Sequence, residues 1–176
     1  KIVQPSTPKE AFELLNYGFK ENTGPFVIRY ERGSFDFDIN KPITDKVATL
    51  DWEVLHEGTD LIFLSFGSIL DDYKEKVLEA GLHVKIINAK TIKPLDKAML
   101  NQISKASVPI IIYEESSIAG GFGSSVLEYY TLNQLPINNI HLMGIKDEYV
   151  NHGTKKEILQ ELNLDVDSII LKTKEL

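Results

Sequence analysis

The sequence predicts an α/β fold in which a mostly parallel sheet is covered by helices on both faces. From residue 51 onward, apolar segments of strand length, such as 61–66 and 108–113, alternate with segments of helical apolar spacing, such as 69–80. The glycine-rich turn 120–123 then leads from one strand straight into a helix. This order is typical of the switch point of an open α/β sheet, where ligands or partner surfaces gather.

Residues 51–176 are predicted to be one α/β domain. Its expected strands are 52–55, 61–66, 84–88, 108–113 and 137–143. Its expected helices are 69–80, a helix that follows Asp96 and ends at Ser104, a helix that begins at Phe122, and a last helix at 154–162. Asp96 is a predicted N-cap, because an aspartate side chain accepts hydrogen bonds from the free amides of a first helical turn.

Residues 1–33 are predicted to contain one helix, capped by Ser6 or Thr7, and one strand, Phe26 to Tyr30. One helix and one strand cannot enclose a core, so this part is expected to pack against something else. Residues 34–50 show weak periodicity and are predicted to be a linker.

The composition excludes several classes of protein. The net charge of −7 argues against binding to nucleic acid and to anionic membranes. The chain has no cysteine, which excludes disulfides, thiol nucleophiles and zinc–thiolate sites. The apolar segments are far shorter than a membrane span. A hydrophobic content of 43% is enough for a core, and a cytoplasmic protein is the simplest expectation.

The candidate chemistry in the sequence is sparse. The glycine-rich turn 120–123 could bind a phosphate at a helix N-terminus, or could simply allow the helix to pack close to its strand, which is favoured. The acidic pairs Asp71-Asp72 and Glu114-Glu115 could act in acid–base chemistry, but a helix-start pair and a strand-end pair are plainer interpretations. The four histidines and the acids show no metal-ligand spacing.

Arg29 and Arg32 are the only arginines in the chain, and they flank the end of the predicted N-terminal strand. Two guanidinium groups at this position would suit a phosphate or a carboxylate, because each offers a bidentate fork of donors. The alternative is a surface salt bridge to Glu31 or another nearby acid.

Several short motifs occur in the order and spacing of one enzyme family. They are Pro5-Ser6, Ile28-Arg29-Tyr30-Glu31-Arg32-Gly33, Leu64-Ser65-Phe66-Gly67-Ser68, Ile92-Lys93-Pro94-Leu95-Asp96, Glu114-Glu115 with Gly120-Gly121-Phe122-Gly123-Ser124, Met143-Gly144-Ile145-Lys146-Asp147, His152-Gly153 and Leu162-Asn163-Leu164-Asp165. Each motif is weak alone, but their order makes the match specific. The chain resembles the C-terminal portion of the 1-deoxy-D-xylulose-5-phosphate synthases, thiamine-diphosphate enzymes of the transketolase family.

The resemblance implies an activity for the intact enzyme. Such synthases condense pyruvate with glyceraldehyde 3-phosphate and release carbon dioxide, at the head of non-mevalonate isoprenoid synthesis and of thiamine synthesis. The resemblance also implies that residues 1–33 end the pyrimidine-binding middle domain, that 34–50 form a linker, and that 51–176 are the C-terminal domain, which helps to hold a homodimer.

The resemblance places the cofactor chemistry outside this chain. In the family, a Gly-Asp-Gly motif on the N-terminal domain holds thiamine diphosphate and Mg²⁺, and a middle-domain glutamate activates the cofactor. This sequence has no Gly-Asp-Gly motif. No catalytic, cofactor-binding or metal-binding residue is therefore expected here, the remainder of the synthase is the expected partner, and the chain alone is expected to be catalytically silent.

By position, the resemblance assigns Arg32 to the phosphate of the aldehyde substrate, with Arg29 as a second candidate. Glu31 stands where the family usually has proline and places an acid beside this site. The departures at Asn88-Ala89-Lys90 and at Lys146 are expected to affect local packing only.

Two alternatives stay open from the sequence. One is the C-terminal part of a 2-oxo acid dehydrogenase beta subunit, which is built alike. The other is a flavodoxin-like interaction module without chemistry, for which residues 1–33 would be dispensable. The synthase interpretation instead predicts that residues 1–33 expose apolar surface such as Phe19, Phe26 and Ile28.

Overall fold

The computed structural model describes residues 1–31, 44–137 and 139–176. The predicted site residue Arg32 and the segment 33–43, which includes most of the predicted linker, lie outside these residues. The strands are β1 (Ile2–Val3), β2 (Val27–Ile28), β3 (Glu53–His56), β4 (Leu61–Ser65), β5 (Val84–Asn88), β6 (Thr91–Lys93), β7 (Ile110–Ser117) and β8 (Ile140–Ile145). The helices are α1 (Pro8–Lys20), α2 (Ile69–Glu79), α3 (Lys97–Ile103), α4 (Phe122–Leu132), α5 (Lys155–Glu161) and α6 (Val166–Glu175).

The larger sheet has five strands in the order β3-β5-β4-β7-β8. The pairs β5–β4, β4–β7 and β7–β8 are parallel, and only the edge strand β3 runs antiparallel to its neighbour. The predicted mostly parallel α/β sheet is therefore confirmed. Parallel pairing needs crossover connections, and α2 and α4 supply them.

Each face of this sheet has its own hydrophobic core. Along β4 the side chains alternate, so that Ile62 and Leu64 lie in the core that contains Phe122, while Leu61 and Phe63 lie in the core that contains Tyr73. The helices α3 and α4 contribute to the first core, and α2, α5 and α6 contribute to the second. The predicted cover of helices on both faces is confirmed.

The C-terminal helix α6 was not predicted. Asp165 is its N-cap, and its apolar residues Val166, Ile169 and Ile170 follow helical spacing. Ile169 is fully buried against the core that contains Tyr73. The expectation that 154–162 is the last helix was therefore wrong, although the periodicity that marks α6 is present in the sequence.

The N-terminal segment, residues 1–31, forms part of a second, three-stranded sheet in the order β2-β1-β6. β1 pairs parallel with β2 and antiparallel with β6, which belongs to the larger domain. Neither β1 nor β6 was predicted, since two or three residues are too few to show a periodicity. The N-terminal segment is thus joined to the larger domain by backbone pairing.

Helix α1 begins as predicted, with the side chain of Thr7 accepting a hydrogen bond from the amide of Glu10. Its residue Leu14 is buried with Val3 and Ala48, and Phe26 and Ile28 pack against this small cluster. Phe19, by contrast, is 83% exposed. The predicted apolar exposure is correct for Phe19 and wrong for Phe26 and Ile28, because these two side chains are partly buried in a small cluster that Ala48 and Leu50 help to form.

A buried polar cluster joins α1 to the larger sheet. The carboxylate of Glu10 accepts hydrogen bonds from the amide and hydroxyl of Ser6 at 2.7 and 2.9 Å and from the side-chain amide of Asn88 at 3.0 Å. Lys90, which is buried, lies 3.3 Å from Glu10. The departure at Asn88-Ala89-Lys90 therefore does more than alter local packing, because Asn88 and Lys90 hold the N-terminal segment.

Among the described residues, no helix is long and apolar enough to cross a membrane.

Candidate functional site

The switch point of the larger sheet lies between the carboxyl ends of β4 and β7. The chain leaves β4 into α2 on one face of the sheet and leaves β7 into α4 on the other face. In open α/β sheets the crevice between two such strands is the usual binding site. The residues that line this crevice therefore decide what the domain can bind.

Glu114 occupies the N-terminus of α4. This carboxylate is only 2% exposed and accepts hydrogen bonds from the amides of Phe122 at 3.0 Å and Gly123 at 2.9 Å. The hydroxyl of Ser116 donates a third hydrogen bond at 2.6 Å. The amides that would bind a phosphate in a phosphate loop thus hold a carboxylate of the chain itself.

The glycines of the turn leave space for the side chain of Glu114, which larger residues would contact too closely. A Cβ atom on Gly121 would lie 2.3 Å from the carbonyl oxygen of Ser117 and 2.4 Å from Oε2 of Glu114. A Cβ atom on Gly123 would lie 2.9 Å from Cδ2 of Leu142. The favoured interpretation of the turn as a close-packing device is confirmed. Glu114 and Glu115 lie near the end of β7, as predicted, and Glu114 in addition accepts hydrogen bonds from the first amides of α4.

Arg29 lies beside this turn in an open cleft of about 460 Å³. Its guanidinium group lies over the ring of Phe66, 5.7 Å from the centroid, and its side chain forms no ion pair with Glu31. Lys93, Ser117 and Gly120 also line the cleft. An exposed guanidinium group and an exposed ammonium group beside a hydroxyl can hold an anionic group.

Glu31 turns away from Arg29 and binds the N-terminus of α2. Its Oε1 accepts hydrogen bonds from the amide of Ser68 at 3.2 Å and from the hydroxyl of Ser68 at 2.7 Å. Its Oε2 lies 2.6 Å from Nζ of Lys155, which also lies 2.9 Å from Glu115. Arg29 therefore does not form the surface salt bridge to Glu31 that the sequence left open. The charge of Glu31 is neutralised by Lys155 instead.

The pKa values of Glu31, Glu115 and Lys155 depend on one another. Burial raises the pKa of Glu31, but hydrogen bonds from Lys155 and Ser68 outweigh burial and leave it below its ordinary value. Burial also raises the pKa of Glu115, and Lys155 offsets this increase only in part, while the charge of Glu31 adds to it. Burial lowers the pKa of Lys155, but its bonds to Glu115 and Glu31 raise it above its ordinary value. Lys155 therefore stays protonated at neutral pH.

The other predicted chemistry does not assemble. Asp71 and Asp72 lie in the first turn of α2, as expected for a helix-start pair. In the part of the chain that the structure describes, no group of three or more His, Asp or Glu side chains could hold a metal ion.

Sequence reasoning missed Lys93, Ser68 and Lys155. Ser68 and Lys93 lie in the family motifs, but those motifs do not show a role at this site, and no motif marks Lys155, because its contacts join distant parts of the chain. The pairing of Lys155 with Glu31, for example, spans 124 positions.

Residues 50–169 match the protein family described as the transketolase C-terminal domain. The match covers more than half of the chain, and the chain belongs to this family. A solved structure described as "Split gene transketolase, inactive beta4 tetramer" has the same fold, with a TM-score of 0.81 over 99% of this chain and 56% of that chain, at 22% identity.

The curated relatives narrow the class further. The chain is 36% identical over 179 residues to the 1-deoxy-D-xylulose-5-phosphate synthase of Macrococcus caseolyticus and 35% identical over 178 residues to that of Listeria innocua. Each match includes 99% of this chain and 28% of the relative. The synthase of Halalkalibacterium halodurans is 32% identical over 167 residues. The resemblance to the C-terminal portion of these synthases is therefore confirmed, and the chain spans about 28% of their length.

Proposed function

We propose that this chain is the C-terminal part of a 1-deoxy-D-xylulose-5-phosphate synthase. The intact enzyme condenses pyruvate with glyceraldehyde 3-phosphate, releases carbon dioxide, and supplies isoprenoid and thiamine synthesis. It is a cytoplasmic homodimer. In this chain, residues 1–33 end the pyrimidine-binding domain, 34–50 are the linker, and 51–176 are the C-terminal domain.

One observation carries the proposal. The similarity to the synthases covers 99% of the chain, whereas the transketolase C-terminal domain accounts only for residues 50–169. Residues 1–33, with the two arginines, therefore belong to the similarity as well. This favours a synthase over a 2-oxo acid dehydrogenase beta subunit, because the curated relatives are synthases, and over a flavodoxin-like module, which does not account for that segment.

The described residues do not fit thiamine diphosphate and Mg²⁺. No cluster of acids or histidines within 1–31, 44–137 and 139–176 suits a metal ion. At the switch point Glu114 accepts hydrogen bonds from the amides of Phe122 and Gly123, and Glu31 accepts one from the amide of Ser68, so these amides are not open to a diphosphate. We therefore place the cofactor in the remaining parts of the enzyme, which are this chain's partner.

This assignment makes the isolated chain catalytically silent. The substrate-binding residues of the chain are then Arg32, with Arg29 as a second contact to the phosphate of the aldehyde. Arg29 supports the idea through its exposed position in the cleft that Lys93 also lines.

Reconstitution tests the proposed function. The pure chain, supplied with pyruvate, glyceraldehyde 3-phosphate, thiamine diphosphate and Mg²⁺, is expected to form no product and to give no heat of cofactor binding in calorimetry. Joined to the upstream portion of the Macrococcus caseolyticus synthase, it is expected to restore formation of 1-deoxy-D-xylulose 5-phosphate. The upstream portion alone is the control. Turnover by the isolated chain, or an inactive but folded fusion, would contradict the proposal.

The arginine assignment has a separate test in the assembled enzyme. Arg32→Ala is expected to raise KM for glyceraldehyde 3-phosphate about 10- to 100-fold, because a charged hydrogen bond contributes about 1.5–3 kcal/mol. KM for pyruvate should stay unchanged, because pyruvate carries no phosphate. Arg29→Ala is expected to have a smaller effect in the same direction. An equal rise in both KM values would show that Arg32 has a general structural role instead.

A further inference from the structure

The end of β2 is attached at two points to the loop 66–68, which connects β4 to α2. Arg29 lies over the ring of Phe66, and its amide donates a hydrogen bond to the carbonyl of Val3 at 2.8 Å. Two residues later, Glu31 accepts the two hydrogen bonds from Ser68. Arg29 and Glu31 both lie in the segment that follows β2, so an attachment of Glu31 also restricts Arg29.

Lys155 completes the second attachment. Its Nζ lies between carboxylate oxygens of Glu31 and Glu115, whose side chains are only 24% and 25% exposed. The two carboxylates carry like charges and share Lys155 as their partner. Without the lysine, two like charges would meet in a partly desolvated place. Lys155 is thus the group that lets Glu31 stay on Ser68.

Lys155 does not reach the ligand cleft itself. It lines a separate cleft of about 550 Å³ together with Glu115 and Ser68, whereas Arg29 lines the cleft of about 460 Å³ beside the glycine-rich turn. Glu114 and Glu115, although successive in sequence, line different clefts. A role of Lys155 toward a ligand near Arg29 must therefore pass through Glu31.

We propose that Lys155 is a positioning residue, which holds the arginine-bearing end of β2 on the loop 66–68 through Glu31 and so sets the affinity for the phosphorylated substrate. This inference rests on the proposed function, in which the arginines bind the phosphate. The charge of Lys155 is neutralised by Glu31 and Glu115. Lys155 therefore restricts the motion of the segment that follows β2 and adds no free positive charge near the ligand.

The first test concerns order and uses the 176-residue chain without any cofactor. In Lys155→Met, amide hydrogen exchange of Arg29 is expected to become about tenfold faster, because the local opening of β2 becomes easier. Lys155→Arg should keep the slow exchange, because the guanidinium group can also bridge two carboxylates. Lys156→Met, which removes the exposed neighbouring lysine, is the matched control and should change nothing. Unchanged exchange in Lys155→Met would overturn the inference.

The second test concerns affinity and uses the assembled enzyme. Lys155→Met is expected to raise KM for glyceraldehyde 3-phosphate about tenfold, because displaced binding groups lose affinity steeply, while kcat and KM for pyruvate stay within about twofold. Catalysis with unphosphorylated glyceraldehyde should not change, and Lys155→Arg should restore the low KM. A merely structural loss of stability would instead lower the activity with all substrates, and would therefore overturn the inference.

Failure of this inference differs from failure of the proposed function. If the unmodified assembled enzyme forms no product, the proposed function fails, while the exchange experiment still decides whether Lys155 orders β2. If that enzyme is active and Lys155→Met leaves KM for the phosphorylated aldehyde unchanged, only the positioning role of Lys155 fails.

Discussion

Replacing Glu114 with alanine is expected to lower the free energy of unfolding by about 3–5 kcal/mol. The substitution leaves the amides of Phe122 and Gly123 without an acceptor at the buried start of α4, and it opens a cavity between β7 and the helix. Each buried donor left unpaired costs about 1–3 kcal/mol. The loss of the carboxylate charge also removes its favourable interaction with the helix dipole.

The only tryptophan of the chain gives a direct probe for this measurement. Trp52 packs against the ring of Phe122, the first residue of α4, at 5.6 Å between centroids. Urea unfolding followed by its fluorescence therefore reports on the end of the helix that Glu114 caps. Glu128→Ala, on an exposed position of the same helix, is the matched control and should change the free energy by less than about 0.5 kcal/mol.

Glu114→Gln separates the hydrogen bonds from the charge. Glutamine keeps one acceptor oxygen for the two amides, so an intermediate loss of about 1–2 kcal/mol is expected. A loss below about 1 kcal/mol in Glu114→Ala would mean that water replaces the carboxylate. The hydrogen bonds of Glu114 would then contribute little to the stability of the start of α4.

The helix starts were the most predictable part of the fold. Asp96 and Thr7 accept hydrogen bonds from the third residue beyond them, as their side-chain chemistry requires. Thr154 and Glu157 form a full capping box at the start of α5. Such caps depend on neighbours within four residues, so the sequence displays them directly.

The edge strand β3 shows where this local reasoning stops. Its residues were correctly predicted to be a strand, but not its antiparallel pairing with β5 or its place at the edge of the sheet. Periodicity tells which segments are extended, whereas strand order depends on which long-range contacts bury the most apolar surface.

The candidate site was predictable only in part. Arg29 and Arg32 stand out in the sequence because the chain has no other arginine, and the glycine-rich turn is visible as a motif. The partner of Glu31 is not visible, since Lys155 resembles any lysine in the first turn of a surface helix. Only the fold brings these two side chains to 2.6 Å.

Replacement of Lys90 is expected to lower the free energy of unfolding nearly as much, because Lys90 neutralises a carboxylate that is buried with it. Lys90 and Glu10 are only 6% and 8% exposed. Lys90→Met is expected to lower the free energy of unfolding by about 3–5 kcal/mol, since the loss of one partner leaves the other charge buried and unpaired. In this variant, amide hydrogen exchange should become faster in α1 more than in β4, because the ion pair holds α1 on the larger sheet.

The double variant Glu10→Gln with Lys90→Met distinguishes an unpaired charge from lost packing. If the charge causes the loss, the double variant should be more stable than Lys90→Met by at least about 1 kcal/mol, because no buried charge remains. Glu53→Gln removes only the exposed second partner of Lys90, at 3.4 Å, and should cost less than about 1 kcal/mol. If the double variant is less stable than Lys90→Met, Glu10 holds α1 through Ser6 and Asn88, and the lysine is not the decisive partner.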